Sequence, residues 1–298
     1  MTAVQISPEA EIRLAEAAKN GNQPIVVNNA NSKGGVGKTT QTEELAHRLA
    51  EQGKWVLVMD LDGQCNLTKN LDAMPTSPKQ PTMHAVLTEP GMDAMRAVVQ
   101  YTGTTSRPVR YANGGGLFLI PGAKTITKAP GEFFGTRARQ PIHDFKLTIH
   151  HVITSWLMGF DFILLDSSPD PDSEVNDAAL LATHEVLVPV SVESMSIDGV
   201  MEFLAILRAS NASRPSFKLT GQAHLKALVP SKVMPDQVER AGEVIATLAQ
   251  HNIPHFGDLY VPYTTAGWKA PDDRVPIALY RPDDAAALVY QQIAAKLL

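Results

Sequence analysis

The sequence predicts an α/β protein with a mostly parallel, twisted sheet and helices on both faces. Short, nearly continuous apolar runs alternate along the chain with stretches of helical periodicity. Strands that are buried on both faces of a parallel sheet have this composition, and their crossover connections are usually helices. One run also leads into a glycine-rich turn and then into a helical pattern. The predicted strands are residues 24–30, 55–60, 116–121, 160–166, 184–190, 224–230 and 258–262.

Helical spacing of apolar residues indicates the elements between these strands. The predicted helices are residues 8–19, 38–52, 144–158, 196–210, 236–250 and 283–298. Stretches rich in Pro, Gly, Ser and Thr at 72–82 and 102–116 are interpreted as surface excursions. We find no internal repeat and no low-complexity linker, so residues 24–298 are expected to form one domain, preceded by an appended helix in residues 1–23.

The composition excludes several classes of protein. Of the 298 residues 44% are hydrophobic and 19% are charged, which is ordinary for a globular protein and too apolar for a disordered one. There is no apolar run near 18 residues and no signal-peptide pattern, so a cytoplasmic protein is expected. Cys65 is the sole cysteine, which excludes an intramolecular disulfide framework and a CxxC site.

The charge is distributed unevenly along the chain. The formal net charge is −5, yet residues 203–235 contain no acidic residue. Basic stretches within an acidic chain can form a local footprint for phosphate backbones, although solvated charges on unrelated faces are the competing interpretation. The candidate nucleic-acid contacts are Arg208, Arg214, Lys226, Lys232 and Arg240.

The stretch "KGGVGKTT" at residues 33–40 matches the core of the phosphate-loop motif G-x-x-x-x-G-K-S/T, with Ser32 in place of the first glycine. Glycines allow the backbone amides to surround phosphate oxygens, and the following helix N-terminus adds partial positive charge. Lys38 is expected to contact the β and γ phosphates, and the Thr39 hydroxyl to bind Mg²⁺. A P-loop NTPase fold follows. The predicted nucleotide-binding residues are Gly34, Gly35, Val36, Gly37, Lys38, Thr39 and Thr40.

A second lysine, Lys33, stands at the other end of the same glycine turn. With it, the loop resembles the deviant Walker A motif of the ParA/MinD group of ATPases. The resemblance implies that Lys33 reaches the ATP bound by a partner subunit, so that two subunits dimerise around ATP. A cation supplied in this way would stabilise charge that develops during phosphoryl transfer.

Two later segments extend the resemblance. The segment "VLVMDLDGQCN" is similar to the family pattern D-x-D-P-Q-x-N, with Gly63 in place of proline, and it implies that Asp62 positions the attacking water near Mg²⁺. The segment "FDFILLDSSPD" resembles a Walker B strand, so Asp166 is expected near Mg²⁺ at the carboxyl edge of the sheet. The three motifs lie within a resemblance that covers roughly residues 24–298.

The resemblance implies a switch that binds a surface with ATP and leaves it after partner-stimulated hydrolysis. In the ParA branch the surface is non-specific double-stranded DNA on the nucleoid, and the partner is a ParB-like centromere-binding protein. In the MinD branch the surface is a membrane, reached by a basic C-terminal amphipathic helix. Here that helix begins with Asp283 and Asp284 and has Lys296 as its sole cation, which argues against anionic lipid.

The sequence therefore predicts a ParA-type ATPase for plasmid or chromosome partition. Two alternatives stay open: an ATPase that positions a protein cargo or assists conjugative transfer, and an unrelated P-loop enzyme such as a small-molecule kinase or amidoligase.

Overall fold

A computed structural model describes residues 3–77, 79–104, 106–139, 141–193 and 195–298. In this part of the chain the strands are β1 (Ala3–Gln5), β2 (Ile25–Asn29), β3 (Trp55–Asp60), β4 (Val99–Tyr101), β5 (Gly103–Thr104), β6 (Arg107–Pro108), β7 (Gly116–Ile120), β8 (Phe162–Asp166), β9 (Glu185–Val190) and β10 (His224–Pro230). Eight of them form one sheet in the order β1-β4-β7-β3-β8-β2-β9-β10. The run from β7 to β10 is parallel, whereas β4 pairs antiparallel with both β7 and β1. The predicted mostly parallel sheet is confirmed.

Helices cover both faces of this sheet. In the described residues they are α1 (Pro8–Lys19), α2 (Lys38–Glu51), α3 (Asn66–Asn70), α4 (Met83–Thr88), α5 (Ala129–Thr136), α6 (Thr148–Trp156), α7 (Glu174–Ala182), α8 (Ile197–Ser213), α9 (Val238–Gln250), α10 (Thr265–Lys269), α11 (Ile277–Tyr280) and α12 (Ala285–Ala295). Strand β3 shows why two layers form: Leu57 and Met59 belong to the core on one face, and Val56 and Val58 to the core on the other. The alternation of side chains along a strand divides them in this way.

One predicted strand is wrong. Residues 258–262 form no strand and meet the sheet region through a single bridge between Val233 and Pro262. Val261 donates to the Pro230 carbonyl and accepts from Val233, so the segment follows β10 briefly. Tyr263 then donates to the Val233 carbonyl at 2.8 Å, and the pairing ends there because Thr264 caps the start of α10.

The register of three central strands builds a polar row at one edge of the sheet. Asp60, the last residue of β3, is opposite Asp166, the last residue of β8, and Asp166 is opposite Asn29, the last residue of β2. All three are almost fully buried. Since parallel strands end at the same edge, the turn after β2 begins beside two carboxyl groups. Ligands bind at this edge in open α/β sheets.

The residues before β2 pack on the rest of the chain. Leu14 of α1 is buried, and its backbone passes so close to Gly159 that a Cβ there would lie 2.2 Å from the Leu14 carbonyl oxygen. The Arg13 guanidinium lies 4.1 Å from the centre of the Trp55 ring and donates to the Gly114 carbonyl at 2.7 Å. These contacts fasten α1 to the amino-end side of the sheet.

Helix α2 contains two adjacent buried carboxyl groups, Glu44 against α11 and Glu43 against α3. Glu44 accepts hydrogen bonds from the backbone amides of Ile277 and Ala278, and Glu43 accepts one from Asn70. Burial raises the pKa of Glu44 to about 8, with a further contribution from Glu43, and burial raises the pKa of Glu43 to about 7. The folded state therefore favours the protonated form of Glu44 near neutral pH.

We expect the free energy of unfolding to fall as the pH rises. The folded pKa of Glu44 lies above its ordinary value, so its stabilising contribution is complete below about pH 4.5 and is lost as the pH rises through about 8. In Glu44→Gln this part of the dependence should disappear, a difference on the order of 2 kcal/mol between pH 5 and pH 8. Denaturant unfolding at several pH values measures it. Equal slopes in the wild type and in Glu44→Gln would contradict the assignment.

Candidate nucleotide-binding site

The turn between β2 and α2 has the backbone shape that a phosphate requires. Gly35 and Gly37 have φ values of 77° and 101°, a left-handed region that disfavours residues with a Cβ. Gly37 caps the start of α2, so the first amides of the helix face the turn. The loop glycines are exposed or half-buried, Val36 is buried and Thr40 is half-buried. The predicted nucleotide-binding residues therefore form one continuous concave turn at a helix N-terminus.

Lys38 folds back across this turn. Its side chain is buried, and its Nζ donates to the carbonyl oxygens of Asn31 and Lys33, each at 2.9 Å. Burial lowers the pKa of the Lys38 ammonium, and the carboxylates of Asp166 and Asp62 act in the opposite direction. A cation at this position lies within the turn, where phosphate oxygens can replace the two carbonyl acceptors.

Thr39 and Asp166 meet beside Lys38, as the sequence predicts. The Thr39 Oγ1 donates to Asp166 Oδ2 at 2.8 Å, and the Thr42 hydroxyl lies 3.4 Å from the other carboxylate oxygen. Burial, and then the neighbouring Asp60 carboxylate, raise the pKa of Asp166 well above its ordinary value. A nearby positive charge would stabilise the ionised form of Asp166. A hydroxyl and a carboxylate are also the hard oxygen ligands that Mg²⁺ binds.

The two aspartates after β3 have different environments. Asp60 is fully buried and accepts from the Thr68 amide at 2.9 Å and from the Thr68 hydroxyl at 2.5 Å. Gly122 lies so close that a Cβ there would be 2.8 Å from the Asp60 carboxyl carbon. Asp62 is half-buried and accepts from the Gln64 amide at 2.9 Å. Asp60 therefore fixes the loop, and Asp62 remains partly accessible near Lys38.

Lys33 differs from Lys38 in its orientation. Its amide donates to Asn31 Oδ1 at 2.8 Å, and Asn31 Nδ2 donates to the Pro189 carbonyl at 2.8 Å. The backbone of Lys33 is thus fastened to the end of β9, whereas its side chain is exposed. Among the described residues none accepts a hydrogen bond from its ammonium. Sequence reasoning missed Asn31, because an asparagine before a glycine turn has no distinctive pattern.

Lys232, which the sequence suggests as a nucleic-acid contact, also lies at this turn. Its Nζ donates to the carbonyl oxygen of Gly35 at 2.8 Å. It lies two residues after Pro230, the last residue of β10, and β10 is two strands away from β2 in the sheet. The glycine turn therefore has two lysines of its own, Lys33 and Lys38, and a third, Lys232, from a distant part of the chain.

The other four predicted nucleic-acid contacts are dispersed. Arg214 is buried, with its guanidinium 3.4 Å from the Thr183 carbonyl. Lys226 is half-buried and pairs with Glu185 at 3.1 Å. Arg240 is exposed and pairs with Glu243 on the same helix, and Arg208 is exposed on α8. A sequence tract without acidic residues thus divides into interior and surface groups once it folds.

A metal ion at this site would depend on ligands from outside the protein. The described residues include no group of three or more His, Cys, Asp or Glu side chains that could hold a metal ion by themselves. A magnesium ion at Thr39 and Asp166 would therefore need further oxygen ligands from a nucleotide or from water, which is usual for this ion.

Among the described residues no helix is long and apolar enough to cross a membrane.

Comparisons with known proteins agree with this geometry. Residues 24–218 match a family described as AAA domain. The chromosome-partitioning ATPase Soj of Thermus thermophilus is 29% identical over 276 residues, which is 90% of this chain and 93% of that protein. Among solved structures, a Cyanothece McdA–ATP complex has a TM-score of 0.70 at 18% identity, covering 93% of this chain and 97% of that chain. Cobyrinic acid a,c-diamide synthase of Mycobacterium smegmatis, with an ATP analogue and magnesium, has a TM-score of 0.67 at 22% identity, covering 91% and 93%.

A P-loop nucleotide-binding protein is the class that the fold and the turn define. More narrowly, the chain belongs to the ParA/MinD-type ATPases of the AAA-domain family. The resemblance predicted from the two-lysine turn is confirmed, and ATP and Mg²⁺ are confirmed as the cofactors of this family.

We expect Lys38→Ala to weaken ATP binding by roughly 100-fold, about 2.7 kcal/mol, because a charge-assisted hydrogen bond to phosphate is removed. Titration of a fluorescent ATP analogue measures the change in affinity. Lys226→Ala is the matched control, since Lys226 lies near the amino end of β10, away from the turn. Unchanged affinity in Lys38→Ala would contradict the site.

Proposed function

We propose that this protein is an ATP-dependent dimerising switch for plasmid or chromosome partition. It binds DNA without sequence specificity in its ATP state and is released when a ParB-like centromere-binding partner stimulates hydrolysis. The observation that carries the proposal is the pair of lysines in one turn: Lys38 is buried within it, and Lys33 is exposed with its backbone fixed. Similarity to Soj over 90% of the chain supports the partition role.

Within one subunit, the residues of the turn hold the nucleotide and its metal. The amides of residues 34–40 and the Lys38 ammonium would bind the phosphates. Thr39 and Asp166 would hold Mg²⁺, which neutralises phosphate charge when bound. Asp62, partly accessible beside Lys38, would orient the attacking water and accept its proton. Hydrolysis to ADP and phosphate is the reaction that this arrangement supports.

Between subunits, Lys33 would complete the site of the partner. The exposed Lys33 ammonium has no hydrogen-bond acceptor among the described residues of its own subunit, and the γ-phosphate of a facing subunit would offer it an anionic one. Differential binding of this kind couples the dimer to ATP, because ADP lacks the phosphate that Lys33 contacts. The homodimer is therefore proposed for the ATP state.

The surface that the dimer binds is proposed to be DNA on the nucleoid. Arg208, Arg240 and the half-buried Lys226 are the solvent-facing candidates, and a dimer doubles their number. Arg214 is buried, and Lys232, although exposed, donates to the Gly35 carbonyl of its own subunit. A membrane is disfavoured because α12 packs its apolar side into the protein: Tyr290 and Ile293 are buried in the core that α2 also forms.

Two other functions are distinguished by their behaviour. An ATPase that positions a protein cargo would keep the ATP dimer and lack DNA binding. A small-molecule amidoligase would need an added substrate for ATP turnover and would not need Lys33; the chain shares its fold with cobyrinic acid a,c-diamide synthase of Mycobacterium smegmatis. The second loop lysine argues against the amidoligase, whereas DNA binding separates partition from the positioning of a protein cargo.

The test is binding of Asp62→Ala protein to a random-sequence DNA duplex with ATP, with ADP and without nucleotide. This variant should bind ATP without hydrolysing it, so binding should appear with ATP alone and weaken steeply with salt. The additional change Arg208→Ala should reduce the slope of log affinity against log salt by roughly 1–2 per dimer, about 0.9 for each phosphate that is no longer neutralised. An ATP-bound dimer that binds no DNA would refute the partition role and favour a protein cargo.

A further inference from the structure

We propose that Lys232 is a positioning residue of the nucleotide turn: its ammonium binds the Gly35 carbonyl on the outer side and so holds the turn ready for phosphate. The inference rests on the proposed nucleotide-binding role of the turn and goes beyond the residues of the motif itself. Lys232 lies 197 residues from Gly35 in the sequence, so no local pattern indicates the contact.

The hydrogen bond from Lys232 to the Gly35 carbonyl provides a donor for a carbonyl group of the phosphate-binding turn. When successive backbone amides point toward an anion, the carbonyl groups of the same turn cannot use those amides as partners, so water or other donors must bind them. Lys38 binds two of these carbonyls, those of Asn31 and Lys33, at the start of the turn. Lys232 binds the carbonyl of Gly35 near its middle, at 2.8 Å.

The two lysines differ in what a nucleotide would change. Lys38 emerges from the first position of α2, and its ammonium must exchange carbonyl partners for phosphate oxygens. Lys232 approaches from the end of β10, so it can keep its carbonyl partner when the turn is filled. Lys38 therefore binds the phosphates of the ligand, whereas Lys232 holds the backbone of the turn in its conformation.

The chain fixes the backbone of Lys232 on both sides. The Ser231 amide donates to the Val190 carbonyl at 2.8 Å, and the Val233 amide donates to the Val261 carbonyl at 3.0 Å. Between these anchors Lys232 has a φ of 56°, a left-handed conformation that disfavours a lysine. Such conformations persist where surrounding contacts enforce them, and they concentrate at functional sites.

The stem of Lys232 also forms part of the wall of the turn. A Cβ built on Gly37 would lie 3.7 Å from the Lys232 Cε and 3.8 Å from the Ser231 Cβ. In the described chain no carboxylate forms an ion pair with Lys232. Its charge therefore adds to the positive potential at the turn, which favours an anionic ligand.

The test compares Lys232→Met, which keeps the length of the stem and removes its donors, with Lys232→Arg, which restores a cation. Lys226→Met is the control, because Lys226 lies within β10 and pairs with Glu185 rather than with the turn, and both readouts are made without DNA. The first readout is millisecond hydrogen exchange of a peptide covering residues 30–37 in nucleotide-free protein. We expect faster exchange in Lys232→Met than in the wild type, recovery in Lys232→Arg and no change in Lys226→Met.

The second readout separates affinity from turnover. In Lys232→Met the Kd of fluorescent ATP and ADP analogues and the KM for ATP should rise about tenfold, with kcat changed less than twofold and the melting temperature of the nucleotide-free protein unchanged. Unaltered exchange and affinity in Lys232→Met would overturn the inference, as would an equal effect in Lys226→Met. Faster loop exchange in a protein whose wild type binds no ATP would instead refute the nucleotide-binding role and leave the contact established.

Discussion

The arrangement of the site depends on one constraint: the amides of a short glycine turn must be free to face an anion. The carbonyl groups of the turn then bind water or donors other than these amides. In this protein the partners are Lys38, from within the turn, and Lys232, from the far side of β9. Asn31 completes the set by joining the Lys33 amide to the end of β9. The glycines at 35 and 37 supply the left-handed geometry, and these polar contacts hold it in place.

The sheet provides the opposite charge. Because β2, β8 and β3 are neighbours in register, Asp166 lies between Asn29 and Asp60 at the edge where the turn begins. Burial makes these carboxyl groups costly to ionise, and the pKa of Asp60 rises to about 6 as a result. Hydrogen bonds from Thr68 offset part of that cost for Asp60, and Thr39 does so for Asp166. A site with buried carboxyl groups and lysines side by side is arranged for a ligand that brings both phosphate and a cation.

Sequence patterns predicted those parts of the fold that depend on interactions between residues close in the sequence. Six of the seven strands, the glycine turn and the meeting of Lys38, Thr39 and Asp166 followed from apolar runs and motif spacing, because strand ends of a parallel sheet share one edge. The short strands β1, β4, β5 and β6 were missed, since two or three residues carry no usable periodicity. The position of Lys232 depends on sheet order, and the burial of Arg214 depends on how α8 meets the strand region. Both positions depend on contacts between distant parts of the chain, so they cannot be predicted from the number of basic residues in a sequence tract.

The central claim is that Lys33 acts on the nucleotide of the facing subunit. The most direct test mixes two inactive variants, Lys33→Ala and Lys38→Ala, and measures ATP hydrolysis. In a mixed dimer the Lys33→Ala subunit keeps its own Lys38 and receives Lys33 from its partner, so one of the two sites is complete. We predict that mixing restores activity up to roughly one quarter of the wild type, since about half of the dimers are mixed and each has one complete site. A mixture that remains as inactive as its separate components would contradict action across the dimer.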